Sequence, residues 1–426
     1  MKFSLIFLLC FSTSAFAAKN FVYCSEGSPS TFNPQIATDG TTFTASAETV
    51  YNRLVEFKRG GTQVEPSLAS SWSVAKDGLS VTFKLRKGVS FHSIPGFQPT
   101  REFNADDVIF TFNRQRDPNH PYYKISGGNY DYFQSMEMGK LIKNIEKIND
   151  YEVKFVLSQK EAPFIANLAM SFASILSAQY ADQMMKAKTP EKMDTIPVGT
   201  GPFIFDSYQK DTLIRYHAND KYWKTKPQIE KLIFAITPDA SVRFQKLKTG
   251  ECHLIAEPAP ADLKAMKENT KIKVLDAEGL NIGYLAFNTE KKPFDNQLVR
   301  QAISMALNRS TYLDAIYMNQ ATLAKNPIPP TMWSYNKKTK DYDYNIEKAK
   351  ELLKKAGFPN GFETEIWTLP VSRPYNPSGK KMGELMQSDL AKIGIKVKLV
   401  SYDWPTYLEK SKKGEHQMVQ LGWTGD

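Results

Sequence analysis

The chain has 426 residues, 42% of them hydrophobic and 23% charged, which describes a folded protein of two or three domains and excludes a disordered one. The formal net charge is +10, yet the lysines are scattered and grouped no more densely than in short pairs such as Lys354-Lys355, Lys380-Lys381 and Lys412-Lys413; a solvated surface accounts for them, and no nucleic-acid partner is expected. Gly and Pro are present at ordinary levels, and no apolar run approaches the ~20 residues a membrane helix needs. The aromatic share of 12% suits either an aromatic-lined cavity or simply extra core, and core is the plainer account.

In chain order, the first segment is a targeting signal. Lys2 precedes the apolar stretch Phe3 to Phe11, and Ala15-Phe16-Ala17 is a small-x-small cleavage site, so residues 1–17 are set aside and the mature chain is expected to start near Ala18. Phe7, Leu8 and Leu9 before Cys10 are too large for lipoprotein processing. The expected product is secreted. Removing the signal leaves Cys24 and Cys252 as the mature cysteines, and an oxidising compartment favours one disulfide between them over two buried thiols.

Further along, Trp72 and Val74 lead to Asp77-Gly78, followed by Val81, Phe83 and Leu85 alternating with Thr82 and Lys84: a hairpin with a half-buried strand. Asn104 and Asp107 stand where a helix over Val108 to Phe112 would begin, and Val153, Phe155 and Leu157 alternate as another strand. The texture changes near Gly279. A short apolar strand from Leu280 to Phe287 precedes Leu298, Ala302, Met305 and Ala306 at helical spacing. Asn345 opens a helix that Gly357 and Pro359 end; Leu385 to Ile393 reads as helix, Gly394 as its stop, and Ile395, Val397 and Leu399 as a strand. This alternation is α/β, and a domain boundary is placed at residues 276–284. Val419 to Trp423 reads as a buried strand, and its position three residues before Asp426 suggests that a closing segment is missing.

The search for catalytic chemistry is negative. The sequence has no H-E-x-x-H, Walker A, G-x-S-x-G or C-x-x-C motif. Gly199-Thr200-Gly201-Pro202 lacks the third glycine of a dinucleotide fingerprint and reads as a turn; Asp106-Asp107 is explained by a helix N-terminus; and His92, His120, His217, His253 and His416 are dispersed without metal spacing. No enzyme, cofactor or metal site is expected.

What does stand out is a resemblance that runs the length of the mature chain. Leu68 to His92, with Leu-Ala-x-x-Trp, Asp-Gly and Phe-Lys-Leu-Arg-Lys-Gly-Val-x-Phe-His, resembles the signature of the peptide- and nickel-binding extracellular solute-binding proteins (family 5) of ABC transporters. So do Phe103 to Val108, Gly199 to Phe203, Thr237 to Ala240, Val299 to Ala302 and Ile328 to Trp333. Tyr23 to Ser28, Arg373 to Pro377 and Gly422 to Asp426 are similar to the dipeptide-binding branch in particular.

That resemblance implies a class II type periplasmic binding protein: an α/β chain of two lobes with mixed sheets and a hinge, here with an incomplete C-terminus. The large lobe would occupy 18–278 and the second lobe 279–426. It implies a periplasmic monomer that encloses a dipeptide and delivers it to the permease subunits of an ABC importer. Residue by residue, it implies ligand contacts from Thr38 in the first lobe and from Arg373, Pro374, Tyr375, Trp423, Thr424, Gly425 and Asp426 in the second. Arg373 would meet the ligand's carboxylate and Asp426 its ammonium. A zwitterion in a dry cleft needs one fixed cation and one fixed anion, and the planar guanidinium fork suits a carboxylate. Haem or glutathione on the same scaffold is the alternative ligand, and a secreted hydrolase the alternative class. The resemblance further implies that a chain ending at Asp426 binds ligand poorly, because a crossing strand would be absent.

Overall fold

The computed structural model describes residues 19–276, 279–332 and 334–424; residues 1–18, Ala277, Glu278, Trp333, Gly425 and Asp426 lie outside the described residues. The N-terminal half builds three sheets. The largest has five strands in the order Leu254–Ile255, Asn20–Ser25, Lys231–Ile236, Leu213–Ala218 and Phe203–Gln209. Asn20–Ser25 runs parallel to both of its neighbours, and the remaining pairs are antiparallel. Cys24 and Cys252 are joined with their Cα atoms 5.8 Å apart, tying strand Asn20–Ser25 to the residues that enter the edge strand beside it.

The expected hairpin forms from Ala69–Val74 and Ser80–Leu85, and Glu152–Leu157 and Ile142–Asn149 complete a four-stranded antiparallel sheet. Val81, Phe83 and Leu85 are buried while Lys84 is exposed, as the alternation dictates. The Phe83 ring packs 5.6 Å from Phe155, which in turn sits 5.2 Å from Phe112 and 5.7 Å from Phe164. Much of the aromatic content is therefore core. Phe112 belongs to helix Ala105–Arg116, opened by a capping box in which Asn104 and Asp107 exchange side-chain-to-backbone bonds. A further pair of strands, Val55–Phe57 and Val64–Pro66, flanks this lobe.

The second lobe is a single mixed sheet in the order Asn281–Phe287, Met418–Thr424, Glu363–Trp367 and Lys396–Val400. Met418–Thr424 is thus an interior strand, antiparallel to the first and parallel to the third. Two of its helices are opened by asparagines, the second as expected: Asn296 accepts from Leu298 N before Gln297–Ala306, and Asn345 from Lys348 N before Ile346–Lys355. Val299, Ile303, Leu353, Ile366, Leu390 and Ile395 form this lobe's own core, separate from that of the first.

One helix starts earlier than its apolar spacing predicts, spanning Gly379–Ala391. Its first turns carry glycine where an apolar residue was sought. A Cβ on Gly379 would lie 2.3 Å from the Leu369 carbonyl oxygen, and one on Gly383 2.4 Å from Thr368 Cγ2. The helix lies too close to the end of the neighbouring strand for any side chain there.

Candidate functional site

The site is assembled on a four-residue turn. Arg373 N donates to Asn376 O at 3.1 Å and Asn376 N to Arg373 O at 3.0 Å, with Pro374 supplying the fixed φ that the second position of such a turn favours. The turn is anchored from both sides. Asn376 Nδ2 donates to Gln420 Oε1 at 3.2 Å, and the Tyr317 hydroxyl donates to the Tyr375 carbonyl at 2.7 Å. Gln420 lies on the interior strand and also accepts from Leu369 N, so one buried amide ties the turn to the sheet. Tyr375 lies across the glycine pair Gly283 and Gly422, which face each other in adjacent strands. A Cβ on Gly283 would come within 2.3 Å of Tyr375 O, and one on Gly422 within 2.2 Å of Tyr375 Cδ2.

So held, Arg373 is 7% exposed and its Cζ sits 4.8 Å from the centroid of the Trp404 ring. Its Nη1 faces the other lobe and lies 3.5 Å from Glu26 Oε1, a long contact between groups 347 positions apart. Glu26 directly follows strand Asn20–Ser25, and its Oε2 accepts from the Tyr23 hydroxyl at 3.0 Å. Burial, and then the facing carboxylate of Glu26, push the Tyr23 phenol well above its usual range, so it stays a donor. Burial pushes Tyr375 up to about 12.

Two more charged residues complete the group. Arg243, on helix Ala240–Thr249, is fully buried and donates to the carbonyls of Thr237, Pro238 and Glu257 at 2.9, 2.7 and 2.9 Å. Glu257 extends its carboxyl toward Glu26, Arg373 and Arg243. Burial first, and Glu26 second, raise it to about 7 against the pull of the arginines. A second ion pair between the lobes, Lys412 with Asp131, lies on exposed side chains.

Among the predicted site residues, the structure brings Arg373, Pro374 and Tyr375 into one turn. Trp423 stands on the interior strand, 54% exposed, close to the likewise exposed Tyr284 of the adjacent strand. Thr424 pairs across the sheet with Asn281, and Gly425 and Asp426 lie outside the described residues. Thr38 is half-buried one position before Asp39, the N-cap of helix Gly40–Ala45; among the described residues no hydrogen bond ties it to the Arg373 group. Sequence reasoning missed Glu26, Tyr23, Arg243, Glu257 and Trp404 as members. Glu26 stood inside the Tyr-Cys-Ser-Glu-Gly-Ser segment, where an acid at a strand end was the available signal; Glu257, in Glu-Pro-Ala-Pro, offered none.

Among the described residues no His, Cys, Asp and Glu group is placed to hold a metal ion. A surface groove of about 550 Å³ lined by Lys84, Arg86, Tyr151 and Trp223 opens on the large lobe and includes none of the residues of the Arg373 group.

Two α/β lobes with separate cores, and a buried guanidinium presented by one lobe to the other, define a two-lobe solute-binding protein. The sequence model of the bacterial extracellular solute-binding proteins, family 5, middle region, matches residues 63–426. The chain belongs to that family. It is 54% identical over 409 residues to the dipeptide-binding protein of Escherichia coli (strain K12), covering 96% of this chain and 76% of that one. It is 50% identical over 406 residues to heme-binding protein A of Haemophilus influenzae, covering 95% and 74%. Among solved structures, the dipeptide-binding protein of Pseudoalteromonas sp. SM9913 in complex with Met-Leu superposes with a TM-score of 0.93 at 43% identity, covering 96% of this chain and 80% of that one.

Proposed function

We propose that this protein captures dipeptides between its lobes in the periplasm, which it reaches through the cleavable signal at residues 1–17, and delivers them as a monomer to the permease subunits of an ABC importer. It performs no catalysis. Residues 18–278 serve as the large lobe and 279–426 as the second, in keeping with the two separate cores. The observation that carries the reading is Arg373: a buried guanidinium on an anchored turn, aimed at the other lobe, whose carboxylate partner there is 3.5 Å away. Such a group receives a ligand carboxylate as a fork. Asp426, led by Trp423, Thr424 and Gly425, is the partner for the ligand's ammonium, Thr38 adds a contact from the large lobe, and Pro374 and Tyr375 shape the wall. The relatives that carry dipeptide in their names support this choice of ligand.

The test crosses ligand ends with variants in calorimetric titrations. Amidating the C-terminus of Ala-Ala should weaken binding to the unmodified protein severely and to Arg373→Gln little further; N-acetylation should show the same pattern with Asp426→Asn. Equal losses in both variants would overturn the assignment. A haem ligand is the second reading, favoured by the relative named for haem, whose propionates could use the same guanidinium. Haemin or glutathione binding tighter than any dipeptide would establish that alternative.

A further inference from the structure

Glu257 is held in an unusual way. It follows the edge strand Leu254–Ile255 with a left-handed φ of +50°, a conformation that costs a residue with a side chain of order 1 kcal/mol or more. Its carbonyl is fixed by Arg243 at 2.9 Å, while its Oε2 is shielded from solvent and has no hydrogen-bond partner. Backbone strain and an unpaired buried carboxylate oxygen are both unfavourable, and they occur together beside the proposed ligand anchor.

Charge counting shows what is missing. Two carboxylates, Glu26 and Glu257, and two guanidinium groups, Arg243 and Arg373, face one another, with the phenols of Tyr23 and Tyr375 between them. Asp239 also faces Arg243, from the cap of its helix. Arg243 is occupied by three backbone carbonyls, which leaves Arg373 as the cation free to serve a ligand. With Asp239 set apart, since its carboxylate accepts from Val242 N at the cap of its helix, a ligand carboxylate joining Arg373 brings three carboxylates against two guanidinium groups. A closed site tolerates that excess badly unless another positive charge arrives.

We propose that Glu257 forms a second charged subsite beside Arg373 that takes the cationic side chain of a ligand, so that peptides with a basic residue next to the carboxylate end are preferred. This deepens the dipeptide reading and rests on it. A proton on Glu257 is the other way to restore the balance. Because the carboxyl titrates near 7, the proton serves below neutrality and the ligand's cation is required above it. The preference for a basic side chain therefore grows with pH.

The experiment compares Ala-Lys with Ala-norleucine, which has the same hydrocarbon stem without the ammonium, by calorimetric titration at pH 8 and pH 5.5. The unmodified protein should bind Ala-Lys at least tenfold more tightly at pH 8, with the ratio falling to threefold or less at pH 5.5. In Glu257→Gln, a change of equal shape, the ratio should fall to threefold or less at both pH values. Equal affinities at pH 8, or a ratio that survives in Glu257→Gln, would overturn this inference while leaving the dipeptide reading intact. Binding of neither peptide would overturn both.

Discussion

The position of Arg373 depends on two glycines it never touches, and replacing one of them exposes that dependence. In Gly283→Ala the new methyl would lie 2.3 Å from Tyr375 O and 3.3 Å from Tyr375 C, so the turn must withdraw by roughly 1 Å to restore ordinary contact. Forcing a methyl into a filled site costs about 1–3 kcal/mol, and here there are two ways to meet that cost. If the turn stays, anchored by Asn376 to Gln420 and by Tyr317 to the Tyr375 carbonyl, the strain lowers the stability of the second lobe. If the turn moves, a ligand that needs Arg373 in its original place must force it back, and the same energy becomes a loss of affinity of about 5- to 150-fold. The two losses should sum to the total. Urea unfolding and calorimetric titration with Ala-Ala measure each part. Gly61→Ala is the control, since the nearest atom to its Cβ is the Lys58 oxygen at 3.8 Å. Wild-type values for both measurements in Gly283→Ala would refute the claim that the glycine pair sets the turn.

Thiol titration of the mature protein, denatured without reductant, should find Cys24 and Cys252 unreactive, and reduction should destabilise the large lobe by about 5 kcal/mol on the chain-entropy account of a long loop; two reactive thiols would contradict the pairing. Burial lowers His92 to about 4, with its Nε2 on Gly201 O at 2.9 Å. A folded value below the unfolded one means stability is complete above about pH 6.5 and is lost as pH falls toward 4. Wild type should therefore lose about 2–3 kcal/mol more than His92→Gln between pH 7.5 and 4.5 in urea titrations, and equal losses would remove the residue from the account. Asp107 is fully buried and accepts from both Nη atoms of Arg101, from Asn104 N and from Ala178 N, so Asp107→Ala should cost about 3–5 kcal/mol in unfolding free energy. A cost under 1 kcal/mol would show that those donors find water.

Local chemistry was legible in the sequence wherever it was written locally. Asn345 announces its helix because a short side-chain acceptor before an apolar stripe has few other uses, and Val81, Phe83 and Leu85 announce a strand by strict alternation. The Gly379 helix was read late because glycines stand where spacing seeks apolar residues, and their reason is contact with Leu369 and Thr368, invisible until the chain folds. Sheet order was equally hidden: nothing in Met418–Thr424 says that it runs between Asn281–Phe287 and Glu363–Trp367. The site divides the same way. Arg373, Pro374 and Tyr375 were found through a family resemblance, whereas Glu26 and Glu257 become site residues only when segments 347 and 116 positions from Arg373 are brought to it.

The interior position of Asn20–Ser25, between two strands from far down the chain, has a consequence for how the protein comes into being. Its strand partners are Lys231–Ile236 and Leu254–Ile255, more than two hundred residues downstream. As the chain grows from the ribosome, this segment, which will be an interior strand of the largest sheet, emerges early and must wait, unpaired, for most of its lobe to be synthesised. Contacts of such long range form slowly, because the loop entropy must be met before any pairing compensates it. The same topology leaves an apolar strand, Phe21-Val22-Tyr23, exposed meanwhile, so holding factors that mask such segments during synthesis are expected to matter more for this lobe than for the second, whose Gln297–Ala306 helix can form from local contacts.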